Sequence, residues 1–390
     1  MGEPERQHVV VVAAGWGASS GEAASVTRLM AGAVALHARV SVVSLDDRAG
    51  RPGAPPRRRR DGPFTVHSAQ APASRRQLAD LLETSIRRQP HGELPDAAVR
   101  GLLRLSSRPS REALGAVLDL EPDTVVLAGP ETFFMGEPLP VGTGRPRVVV
   151  LPLGGRPELL GSHALRPLVA AADAVVAVSE TERSRLAPLL PAGREDRLRL
   201  VRPVYPVNRG AAAAGMAGMA SFGRYLLVLS GFPPDEPSSG RCPAHDYLRQ
   251  VLGPISVVEV CHGRWRVTDA ERRHDVVWPA NRMNLWRLMA RAAATLEVRP
   301  AGPVGREAIE SLLFATPVVV PAGTVAAEHA AASNGGLWYR DPGEMLDALK
   351  ALLDDGALRD AIGSQGRRWA ERQHGDMAAF AEEATVAVLG

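Results

Sequence analysis

The stretch GPVGREAIESLLFATPVVVP (Gly302–Pro321) reads as a glycine-bearing loop, one helix and a proline-led apolar strand. The strand is an unbroken run, Val318–Val320, of the kind that parallel sheets bury on both faces. Helix followed by buried strand is half of a βαβ unit. Glu307 and Glu310 fall in the first two turns of the helix. Carboxylates there interact well with the helix dipole. The same helix end, with its unsatisfied N–H groups, also suits a ligand's phosphate or hydroxyl groups. Both readings stay open on these residues alone.

The pattern extends outward in both directions. His8–Ala14 is an apolar run ended by Gly15, followed by the loop GWGASSG (Gly15–Gly21) and a helical stretch, Glu22–Leu36. Val40–Leu45, Asp123–Ala128, Arg147–Leu151 and Ala174–Ser179 read as further strands, with helices at Arg75–Arg88, Ser110–Leu118, Leu165–Ala172 and Glu180–Leu190. Past Pro203 the composition shifts to Pro, Gly and Ala with little charge, which reads as a linker. Tyr225–Ser230 opens a second series, with Ile255–His262, Asp275–Trp278 and Ala294–Val298 as strands. The reading is α/β, two facing Rossmann-like domains with an interdomain cleft. An N-terminal domain spans 1–205, a linker 206–222 and a C-terminal domain 223–373. A last helix, 374–390, is expected to pack back towards the first domain. Ligands of such sheets lie at the carboxyl ends of the strands.

Composition excludes several classes. The chain has 390 residues, 45% hydrophobic, which is too long for one ordinary core. A net charge of +3 is too small to argue for nucleic acid. Lys350 is the single lysine, so lysine-based chemistry has almost no candidate. Cys242 and Cys261 are the only cysteines and form no metal-binding spacing. No apolar run reaches the roughly 20 residues of a membrane helix. The N-terminus has no signal-peptide character, so a cytoplasmic protein is expected.

Several residues are candidates for a site. Ser20 and Gly21 lie where a strand-to-helix loop can admit an acceptor or a phosphate. Arg306 stands beside Glu307 and Glu310. Gly323 and Thr324 follow the PVVVP strand, where backbone amides can face phosphate. His262 is a possible base, set against a satisfied surface histidine. Trp265, Trp278 and Trp286 read as packing residues. Asp46–Pro63, with its run Arg57–Arg60, reads as a loop whose arginines form a solvated tip; the rival reading is contact with an acidic surface or phosphate.

Four segments together resemble the GT-B glycosyltransferases, in particular the retaining, nucleotide-sugar-dependent group (family 4-like). They are SGEAASVTRLMAGAVAL (Ser20–Leu36), DAVVAVSETERSRL (Asp173–Leu186), REAIESLLFATPVVVPAGTVAAE (Arg306–Glu328) and DPGEMLDALKALLDDGALRDAIGSQGRRWA (Asp341–Ala370). The third is the most specific. In that family two glutamates separated by seven residues bind the donor. The second matches Glu310 and implies a ligand of the donor ribose. The first falls at Gly302, although the turn Gly302–Gly305 is kept. The family's Arg and Lys for the leaving diphosphate have no match in SGFPPDEPSSGR (Ser230–Arg241), and VVVLPLGG (Val148–Gly155) lacks the family's histidine.

The resemblance implies transfer of a sugar from a nucleoside-diphosphate donor to an unidentified hydroxyl acceptor, retaining and metal-independent. It implies no cofactor beyond the nucleotide-sugar co-substrate. Donor-site residues would be Glu310, Gly302, Gly305, Arg306, Glu307, Gly323 and Thr324. No catalytic residue stands out. The departures keep open a catalytically degenerate GT-B-like protein that supports a protein partner. A nucleotide-sugar epimerase is the third reading.

Overall fold

The structure is a computed structural model. It describes residues 6–13, 16, 21–45, 57–69, 111–129, 132, 144–153, 165–213, 225–229, 248, 251–252, 255–261, 264–268, 276–279, 282–298 and 304–390. The chain divides into two compact units, Met1–Pro203 with Ala378–Gly390, and Val204–Met377.

The first unit is built on eight strands, β1 (His8–Ala13), β2 (Arg39–Ser44), β3 (Arg57–Asp61), β4 (Phe64–Ser68), β5 (Thr124–Ala128), β6 (Arg147–Leu151), β7 (Ala174–Ala177) and β8 (Leu198–Leu200). They lie in the order β3-β4-β2-β1-β5-β6-β7-β8. All neighbours are parallel except β3 and β4, which pair antiparallel. All six residues of β1 are buried, as expected for a central strand covered on both faces. Helices α1 (Gly21–Val34), α2 (Arg111–Leu118), α3 (Arg166–Ala171) and α4 (Glu180–Leu186) follow their strands. The start of α4 is capped by Ser179, which accepts from the Glu182 N–H at 3.1 Å, and Glu182 accepts from the Val178 N–H at 2.8 Å. The strand order reverses between β1 and β5, where doubly wound sheets open a crevice.

The second unit carries β9 (Tyr225–Leu229), β10 (Ser256–Cys261), β11 (Arg264–Thr268), β12 (Val276–Pro279), β13 (Ala292–Glu297), β14 (Val318–Pro321) and β15 (Gly336–Tyr339), in the order β12-β11-β10-β9-β13-β14-β15. Strands β9, β10, β13, β14 and β15 are parallel. Strand alternation is visible in β9. Tyr225, Leu227 and Leu229 join one core cluster with Leu288 and Met289, whereas Leu226 and Val228 join another with Leu349 and Leu352. Helices α5 (Arg209–Ala213), α6 (Arg282–Met289), α7 (Arg306–Leu313), α8 (Val325–Ser333), α9 (Pro342–Asp354) and α10 (Gly356–His374) belong to this unit, and α11 (Met377–Leu389) follows. Asp341 and Asp355 cap α9 and α10 through side-chain oxygens.

Two sequence expectations need correction. The arginine run is not a loop tip: Arg57–Asp61 is a strand, closed onto β4 by a tight turn at Gly62, whose φ is 60°. Pairing with a buried partner strand overrode the loop-like composition around it. The second series is also not purely βα, because β10, β11 and β12 form an antiparallel meander. Of the segment read as a linker, Arg209–Ala213 is helical and 214–222 lies outside the described residues. The helix expected at 75–88 lies outside them too.

Candidate functional site

Within the quoted stretch α7 follows β13 and leads into β14, whose carboxyl end leads into α8. Helix α7 begins at Gly305, which is left-handed with φ 64°. A Cβ at that position would stand 3.1 Å from the Ala326 nitrogen and 3.3 Å from His329 Cδ2. Only glycine therefore lets the start of α7 lie against the first turn of α8. His329 completes the junction: its Nε2 donates to the Val304 carbonyl at 2.8 Å, and its ring is buried. Helix α8 is capped by Thr324, whose hydroxyl accepts from Ala327 N–H at 3.1 Å and donates to the Pro321 carbonyl at 2.8 Å. Gly323 precedes it with φ 74°. Two helix N-termini thus meet at the carboxyl end of the sheet.

Helix α7 is also fixed from below. Thr295 on β13 donates to Ser311 at 2.7 Å, and Ser311 donates to the Thr316 carbonyl at 3.1 Å. Thr316 in turn donates to the Met289 carbonyl at 2.6 Å. These bonds satisfy hydroxyls that burial would otherwise make costly.

Glu310 occupies the centre. Its side chain is 0% exposed, Arg306 Nε donates to one oxygen at 2.8 Å, and Arg282 Nη1 donates to the other at 2.9 Å. Arg282 also reaches Glu307 at 3.0 Å. The Arg306 guanidinium lies 5.1 Å from the Tyr205 ring centroid. Burial pushes the Glu310 carboxyl above the ordinary range, and the two guanidiniums pull it back. The carboxylate expected to face a ribose is thus a clamp on two arginines. Nearby, Tyr339 donates to the Glu297 carbonyl at 2.7 Å, and burial pushes its phenol up to about 12.

Of the residues singled out from sequence, Gly305, Arg306, Glu307 and Glu310 come together at α7, and Gly323 and Thr324 lead into the adjoining α8. Gly302, Ser20 and His262 lie outside the described residues, and Gly21 is the first residue of α1. Trp286 packs against the core as expected. Arg282, Tyr205 and His329 were missed. Arg282 and Tyr205 are far from the motif in the chain and reach it only through tertiary packing, whereas His329 directly follows it on α8. Among the described residues no group of three or more His, Cys, Asp or Glu side chains is placed to hold a metal, and no helix is long and apolar enough to cross a membrane.

Comparison of the structure with solved ones gives full-length matches. Sucrose-phosphate synthase from Thermosynechococcus elongatus is 15% identical, with 97% of each chain covered and a TM-score of 0.62. An α,α-trehalose 6-phosphate synthase from Burkholderia multivorans is 13% identical, with 98% of each chain covered and a TM-score of 0.62. Anabaena HepE in complex with UDP and glucose is 14% identical, covers 97% of this chain and 98% of its own, and has a TM-score of 0.57. The chain has the GT-B fold. No protein-family model matches the sequence, and no curated protein matches it. The GT-B scaffold is shared at 13–15% identity, and the helix-end junction at Gly305 belongs to the second of its two Rossmann-like units.

Proposed function

We propose that the chain is a glycosyltransferase that moves a sugar from a nucleoside-diphosphate donor to a hydroxyl acceptor, with retention and without a bound metal. The carrying observation is the GT-B likeness over 97% of this chain and 98% of Anabaena HepE, solved in complex with UDP and glucose. In this reading the donor is held by the second unit, against α7 and α8. Glycosyl transfer develops oxocarbenium character on the sugar and negative charge on the departing diphosphate. Cations fixed in place before reaction stabilise that charge best. The usual Arg and Lys have no sequence match, and Arg282 and Arg306 are the cations held at α7. Glu310 sets their position, because each of its oxygens accepts from one of them. Arginine suits the task because its planar fork matches phosphate oxygens.

The test is calorimetric titration of the protein with UDP, GDP, ADP and dTDP, followed by hydrolysis assays with the matching nucleotide sugars. Binding of one diphosphate with turnover of its sugar supports the reading, and binding of none removes it. One observation favours the rival, a GT-B-like subunit that supports a partner: both Glu310 oxygens are already held by arginine. That rival gains if no diphosphate binds and a transferase co-purifies.

A further inference from the structure

We propose that the outer edge of β3 is a docking edge for an extended acidic peptide, which adds to the sheet as one more strand. Among the described residues, strand β3 ends the first sheet and pairs with β4 alone. Every second residue of such a strand turns its N–H and C=O outward, where they can pair with another chain. Arg58, Arg59 and Arg60 stand on this strand, and all three are exposed. No ion pair joins them to a described residue. Asp61, the next residue, does not neutralise them: its carboxylate takes the Trp16 indole N–H at 2.9 Å and Arg28 at 3.1 Å.

The register fixes how the charge is presented. Arg58 and Arg60 stand across from His67 and Thr65, and Arg59 stands across from Val66. Arginine therefore occupies both faces of the edge, with same-face neighbours about 6.6 Å apart. Like charges side by side repel, and that cost is relieved by opposite charge at the same spacing.

The two faces select the occupant. A second copy of the chain would set arginine against arginine. A flat anionic surface would meet the charge but leave the outward backbone groups without strand partners. An incoming strand with acidic side chains above and below satisfies backbone and charge together. Its chemistry is that of an acidic linear segment of a partner protein. This edge belongs to the first unit and α7 and α8 to the second, so the inference stands whether or not the chain transfers sugar.

The experiment uses the full chain and a fluorescein-labelled octapeptide of glutamate and threonine, with glutamate on both strand faces, read by anisotropy. Saturable binding is expected. It should weaken at least about tenfold in the triple variant Arg58→Gln, Arg59→Gln, Arg60→Gln, and again at least about tenfold when alternate peptide nitrogens are methylated. Circular dichroism melting checks that the variant folds, and Arg59→Glu alone serves as a second variant. Equal binding of the methylated peptide would reduce the edge to a charged surface and overturn strand addition. Equal binding by both variants would move the site elsewhere. No binding of the peptide, with or without capture by phosphatidylglycerol vesicles, would also overturn the proposal.

Discussion

Arg282 and Glu310 are 28 residues apart in the chain and meet at 2.9 Å, which ties α6 to α7 through a fully buried carboxylate. Removing that carboxylate leaves two guanidiniums facing one another across the space it filled. Glu310→Ala should therefore destabilise the protein by about 3 kcal/mol, the lower end for a broken buried pair because Arg282 is partly exposed. Glu310→Gln keeps the volume and one acceptor and should cost less. Urea unfolding of both variants checks this. If a nucleoside diphosphate binds the wild type, Glu310→Gln should weaken it several-fold while the fold survives. Unchanged affinity would detach Glu310 from the donor site.

Gly305 is a separate constraint on the same junction. It combines φ 64° with a space in which a Cβ would meet the Ala326 backbone at 3.1 Å. Gly305→Ala should cost about 1–2 kcal/mol from the left-handed backbone alone, with crowding added. Gly323→Ala is the control. Its φ is 74° but nothing lies within 4 Å of the added carbon, so it should lose only the backbone part. Equal losses in the two variants would show that contact with α8 contributes nothing.

Buried strands were the most legible feature of the sequence, because HVVVVA, YLLVL and VVVP are continuous apolar runs with few other readings. Gly305 at the start of α7 was legible too, since its signal is local. Strand β3 was not. Its arginines carry no hydrophobic alternation, and only pairing with Phe64–Ser68 makes them a strand. The surroundings of Glu310 were half legible. Arg306 is four residues away on the same helix, whereas Arg282 arrives from α6 and Tyr205 from the start of the second unit. Periodicity carries no information about such long-range partners.

Trp16 is the one described residue of the first glycine loop between β1 and α1, and three residues hold it. Its indole donates to Asp61, Arg28 lies 5.0 Å above its ring and donates to its carbonyl, and Phe64 meets it edge-on at 5.2 Å. Asp61→Ala should cost about 1–3 kcal/mol, because the buried indole N–H loses its acceptor. Asp61→Asn keeps an acceptor and should recover most of it. Thermal melts of the pair test this. If the two variants melt together, the hydrogen bond is not what holds the loop.

Acid should act on the first unit through two histidines. Burial, with Arg39 beside it, holds His8 below 6.5, and burial with Arg58 does the same to His67. His8 is enclosed by Ser41 at 2.9 Å, Arg39 at 2.7 Å and the Asp123 carboxylate on its backbone N–H. The unfolded chain protonates these rings near pH 6.5 and the folded chain does so only at lower pH. The unfolded state therefore binds more protons in that window, and stability rises with pH there. The stabilising contribution is fully present above pH 6.5 and is lost as pH falls through the folded values. Between about pH 7.5 and about pH 5.5, wild-type melting temperature should fall more steeply than that of His8→Gln, which lacks one of the two groups. Parallel profiles would mean that His8 titrates alike in the folded and unfolded chain.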